Sequence, residues 1–313
     1  MSKRFMVPLA ALAVLILLPF ARFCLRASAR TPRAAQAQSA SGGGQGGRTD
    51  ITGWGAHSED LPPDVDGWGH PIAKPSTAQP APAPKHDISG IWDPGDGGIQ
   101  ALGAAAIPDD GKPGHHLSYT PAGLDALKQT KPSNGTRSVL PVESNDPVIA
   151  GDPQGFPRED LYELRTTQIV QTPVQTIVLY EFGKVWRVIW HDGRTFPKEP
   201  EPRFYGYSIG KWVDDYTYVV NTIGLDDRSW LDHTGRPHSA DLKVEERFHR
   251  VDHDHLELTV TVDDPQFYTK PWVAMDKLRF NLEPATFDVR EMIWSPSEFA
   301  EYNKLIGGQT SSK

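Results

Sequence analysis

His249, His253 and His255, with Asp252 and Asp254, are the densest group of metal-capable side chains in this chain. Imidazole and carboxylate together suit zinc and related cations. A turn between two strands selects the same residues, because Asp favours turn backbone and His is soluble there. The flanking alternation puts the group at a hairpin tip, so the turn reading is preferred and no metal or other cofactor is expected. A second group, Asp226, Asp227, Asp232, His233 and His238, shares one loop of about 17 residues. A carboxylate beside an imidazole can move a proton or hold a cation. The competing reading is a solvated acidic loop over one end of the fold.

Glu245 and Arg247 stand two apart in a strand pattern, followed by His249. Leu256, Leu258, Val260 and Val262 alternate on the core face of the next strand. If an even-numbered loop joins the two strands, Glu245, Arg247 and His249 fall opposite those leucines and valines and face inward. That arrangement also pairs Arg250 with Glu257 outside, so an interior Glu245–Arg247 pair is expected; an odd loop sends both to solvent. Tyr207, Trp212, Asp263, Tyr268 and Trp272 complete the candidate pocket; Tyr268 and Trp272, with Phe267, are read first as capping the core and would line the mouth if the barrel is open.

Nucleophile motifs are missing. Gly206-Tyr-Ser-Ile-Gly210 has the spacing of a serine elbow, but it lies between aromatic β segments rather than at a strand-to-helix turn. Cys24 is the only cysteine. The net charge of −8, with Lys and Arg scattered, argues against nucleic acid as a partner.

The elements that must position these residues are short strands. Nine segments rich in β-branched and aromatic residues are bounded by Gly, Pro or Asp: 89–92, 163–172, 174–181, 185–191, 205–213, 216–222, 242–251, 256–262 and 273–282. Their spacing leaves no room for crossover helices. The expected class is all-β: an antiparallel meander, with a lipocalin-like (calycin-like) barrel preferred over a sandwich because closure removes exposed edges. Helical signals are confined to 121–128 and 297–305.

Lys3 and Arg4 precede an apolar run from Phe5 to Ala21, and Ala27-Ser28-Ala29 supplies a cleavage signal. Residues 1–29 are therefore read as a signal peptide, with an uncleaved anchor as the alternative and the only expected membrane contact. Residues 30–86 read as a Gly/Pro-rich tether, 87–306 as the folded domain and 307–313 as a tail. The implied location is periplasmic or secreted.

From Asp87-Ile-Ser-Gly-Ile-Trp92 onward the chain resembles a large, poorly characterised family of exported bacterial proteins. The resemblance rests on Asn145-Asp-Pro147, Asp152-Pro-Gln-Gly-Phe-Pro-Arg158, Gly206-Tyr-Ser-Ile-Gly210 with Trp212, Arg236-Pro-His-Ser239, Glu245-Glu-Arg-Phe248 and Asp263-Asp-Pro265 with Pro271-Trp272. It implies no activity. It does imply a crosslink in relatives between the position of Gly151 and the stretch 292–296, which this chain lacks. The functional expectation is a barrel that binds a small apolar or aromatic molecule. The alternatives are a barrel enzyme using acid–base residues, of isomerase, cyclase or hydratase type, and an envelope interaction protein.

Overall fold

The computed structural model describes residues 79–95, 107–162, 164–293, 295–302 and 304. The signal segment, the tether up to residue 78, Trp294 and the tail lie outside the described residues.

Each of the nine expected segments forms one strand: β1 (Gly90–Asp93), β2 (Thr167–Gln171), β3 (Gln175–Tyr180), β4 (Trp186–Trp190), β5 (Tyr207–Trp212), β6 (Thr217–Ile223), β7 (Lys243–Arg250), β8 (His255–Asp263) and β9 (Trp272–Glu283). Neighbours in sequence are neighbours in the sheet, and β1 also pairs with β9, so the sheet closes into a barrel rather than splitting into a sandwich. Period-two burial explains the closure. Along β8, Leu256, Leu258, Val260 and Val262 are buried while the residues between them are half-exposed.

One feature departs from a pure meander. β4 and β5 run parallel, pairing Ile189 with Ser208 and Trp190 with Ile209. Residues 191–206 cross back over the barrel wall instead of reversing in a hairpin, and parallel neighbours require a connection of that order. An up-and-down lipocalin has eight antiparallel strands, so this nine-stranded barrel shares its closure but not its topology.

The β7–β8 register corrects the expected interior pair. Arg250 pairs with Leu256, Phe248 with Leu258, Glu246 with Val260 and Val244 with Val262. Residues 251–255 separate the first pair, an odd connection, and it turns Val244, Glu246, Phe248 and Arg250 inward. Glu245, Arg247 and His249 are on the outer wall, where Arg247 meets Glu245 at 3.4 Å in solvent. Arg250 does not join Glu257 outside. Its guanidinium lies 4.5 Å from the Trp92 ring and donates to the carbonyls of Asp252 and Asp87.

The folded part also starts earlier than residue 87. Ala81 accepts a bond from the His253 amide, the His86 amide donates to Asp215, and Lys85 pairs with Asp215.

Among the described residues four α-helices decorate the barrel: α1 (Pro121–Gln129), α2 (Pro147–Ala150), α3 (Arg158–Leu161) and α4 (Pro296–Tyr302). α1 is capped by the Thr120 hydroxyl, which accepts from the Gly123 amide, and α2 by the Asp146 carboxylate, which accepts from the Val148 amide. Gly151 abuts α4: a Cβ there would lie 2.9 Å from Pro296 Cγ, so the two segments that the resemblance links by a crosslink are adjacent.

The two barrel ends are unlike. The β2–β3, β5–β6 and β7–β8 turns close one end tightly. The other carries every long connection among antiparallel neighbours: 94–166, 224–242 and 264–271.

Candidate functional site

The crowded end is sealed by α3, all four of whose residues are buried. A charged helix can be buried only if its side chains find partners. Arg158 binds Asp146 through both terminal nitrogens, at 2.8 and 2.7 Å, so the carboxylate that caps α2 also anchors α3. Burial lowers the Arg158 pKa, but Asp146 outweighs it and the guanidinium is held more firmly protonated than usual.

Asp160 faces the barrel interior, where it accepts a hydrogen bond from Tyr180 at 3.1 Å. Nearby, Arg187 on β4 reaches Glu246 on β7 at 2.6 Å, its guanidinium resting 3.8 Å from the Phe156 ring. Two carboxyls thus share one cation in the core. Burial first, and the Glu246 charge second, push Asp160 up to about 8, so it keeps its proton at neutral pH.

On the other side of α3 lies a small cleft whose enclosed part measures about 20 Å³, room for one water-sized group, and which opens to solvent. Pro141, Val148, Ile149 and Phe182 form its apolar wall, and Gln154, Arg158 and His233 its polar wall. Most of these come from the β1–β2 connection; Phe182 enters from the β3–β4 turn and His233 from the β6–β7 connection. The His233 ring lies 4.0 Å from that of Tyr162. Burial, with the Arg158 charge adding to it against Asp232, holds His233 down at about 4, so the imidazole is neutral at physiological pH.

The polar wall is short of partners. Both amide atoms of Gln154, Arg158 Nε and His233 Nδ1 have no hydrogen-bond partner among the described residues, although these side chains are 5, 2 and 6 % exposed. Buried polar groups are ordinarily satisfied.

The residues expected from sequence do not converge. Asp226 binds Arg228, Asp232 binds Arg236 and Thr234, and His238 meets Ser229 at 3.0 Å. Residues 229–239 are buried, so this connection is a packed strap rather than a solvated acidic loop. Its fit explains the difference: Trp230 and Leu231 enter the core, and Tyr268 donates to the Pro237 carbonyl at 2.8 Å. Trp272 packs beneath the Arg236 guanidinium, and Tyr207 beneath Arg203. Trp212 sits at the opposite end with His86, and Asp263 ends β8 half-exposed on the outer wall. His253 and His255 each pair with one aspartate of their own turn. Ser208 is buried against the Thr222 hydroxyl at 2.8 Å, with no elbow.

Of the cleft residues, His233 belonged to the loop picked out by its carboxylates and imidazoles. Asp146, Gln154 and Arg158 lie in two of the stretches that carry the family resemblance, a signal that gave location without role.

No protein-family model, no curated protein and no solved structure matches this chain. Among the described residues no helix is long and apolar enough to cross a membrane.

Proposed function

We propose that this protein binds a small molecule with an apolar or aromatic body in the cleft beside α3, acting outside the bacterial cytoplasm as a member of the exported family it resembles. The observation that carries the reading is the Gln154 side chain, buried in the cleft wall with neither amide atom partnered. Leaving such groups unpaired costs about 1–3 kcal/mol each. A ligand whose head group is small enough for the enclosed space recovers that cost by supplying the partners, while its body lies on the solvent side against the apolar wall.

The site is displaced from the lumen to the rim because Trp92, Tyr218, Phe248 and Phe280 occupy the core. An acid–base enzyme would use Asp160 and Glu246, yet these lie on the core side of α3 and neither lines the cleft. Binding is therefore favoured over catalysis. The test is a thermal-shift screen of aromatic fragments against the wild type and Ile149→Trp, which fills the cleft. Stabilisation of the wild type alone is expected; equal stabilisation of both proteins would contradict the site.

A second reading has its own observation. Val170, Leu179 and Trp186 are exposed together on the outer wall of β2–β4, Trp186 at 64 %. Leu179 and Trp186 are directly paired across strands, which gives an interaction surface its apolar centre.

A further inference from the structure

We infer that the head group taken by the cleft is a neutral amide, such as a lactam, ureide or primary carboxamide, paired edge to edge with the side chain of Gln154. The inference rests on the binding reading above and adds the chemical class of the ligand.

Gln154 offers one donor and one acceptor side by side, both unused. Their complement is an acceptor and a donor side by side, which is the edge of a cis or primary amide. Exchanging the oxygen and nitrogen of Gln154 reverses the order of the pair but not its nature, so an amide edge complements either orientation. Arg158 gives one N–H of each terminal nitrogen to Asp146, and its Nε–H is left without a partner, a donor suited to the second lone pair of a ligand carbonyl.

Charge selects in the same direction. The Arg158 cation is matched by Asp146 at 2.7 Å, and the wall supplies no uncompensated charge for an anion. A carboxylate would also set one of its oxygens against Gln154 Oε1, acceptor to acceptor. A cation would lie beside Arg158 without a free carboxylate to receive it. The neutral state of His233 keeps that position uncharged, and the other polar lining groups, Ser133, Asn134 and Tyr162, carry no charge to attract an ion; Asn134 donates to Ser133 at 3.3 Å. The head group alone fits the enclosed space, and the body of the ligand lies toward solvent along Pro141, Val148, Ile149 and Phe182.

Benzamide, benzoate and benzamidinium share one shape and differ in charge and edge pattern, and they make the test. Each is titrated into the whole domain at pH 7 while the Gln154 side-chain NH₂ and the Val148 and Ile149 methyl resonances are followed. Benzamide is expected to bind at least tenfold more tightly than either ion. Gln154→Leu is expected to lose at least tenfold of that affinity while melting at the same temperature as the wild type or higher, because it removes two unsatisfied buried atoms. A side chain with a purely structural role would instead lower the melting temperature.

Benzoate or benzamidinium binding as tightly as benzamide would overturn the amide assignment and leave the cleft as a binding site of another class. Undiminished benzamide affinity in Gln154→Leu would overturn it as well. No shift of any cleft resonance with all three probes would remove the binding reading, and the amide assignment with it.

Discussion

Arg187 and Arg247 show how far one position's parity decides a residue's energetic weight. Both are arginines near a glutamate, but Arg187 is buried at 2.6 Å from Glu246 and Arg247 is solvated at 3.4 Å from Glu245. Removing one partner of a buried pair costs roughly 3–5 kcal/mol because the other charge is stranded. Arg187→Ala is expected to destabilise by that order in denaturant unfolding, while Arg247→Ala stays within about 0.5 kcal/mol. Asp160 adds a pH signature. Its folded pKa of about 8 lies above the usual 3.8, so the stability gained from its proton is complete below about pH 4 and is lost as the pH rises through 8. His233, held at about 4, works in the opposite sense: its neutral form loses stability to the unfolded chain as the pH falls below 6.5. Between about pH 6.5 and 8 the Asp160 contribution is therefore unopposed by His233. Asp160→Asn is expected to flatten the decline there by up to about 1.4 kcal/mol per pH unit. A wild-type slope retained in the variant would contradict a protonated Asp160 in the folded core.

Strands were legible in the sequence because alternation and turn residues act locally, and all nine are where Val, Ile, Tyr, Trp and their Gly/Pro/Asp boundaries put them. Register was not, because the parity of a hairpin depends on one residue in its loop. Thus Glu246, not Glu245 and Arg247, entered the core. The cleft was hidden for a related reason. α2 and α3 have four residues each, too few for a helical period, and α3 holds because Asp146, Tyr180 and Tyr205 meet it from distant parts of the chain. Close packing within strands makes its own prediction. Gly210 on β5 faces Tyr218 on β6, and a Cβ there would run into the phenol ring and approach Ile189 Cγ2 to 2.9 Å. Tyr218 is fully buried and bonded to His191 at 3.0 Å, so it has little freedom to yield. Gly210→Ala is expected to cost about 1–3 kcal/mol by overpacking, measured by urea unfolding.

As a whole, the molecule is a closed barrel with one end made of tight hairpins and the other of long connections wrapped around α3. The hairpin end recruits residues 81–86 through two backbone bonds of 2.9 and 2.8 Å. A chain beginning at Asp87 is expected to melt about 2–4 °C below one beginning at Gln79, the shift that about 1 kcal/mol produces in a domain of this size. The crowded end is where the barrel tolerates unsatisfied buried groups, and the central claim is that a small molecule binds there. Methyl-resolved NMR of the domain titrated with an aromatic fragment mixture tests this most directly. The account predicts shifts concentrated at Val148 and Ile149 and abolished by Ile149→Trp. Shifts confined to Val170 and Leu179 on the outer wall, or none at all, would contradict it.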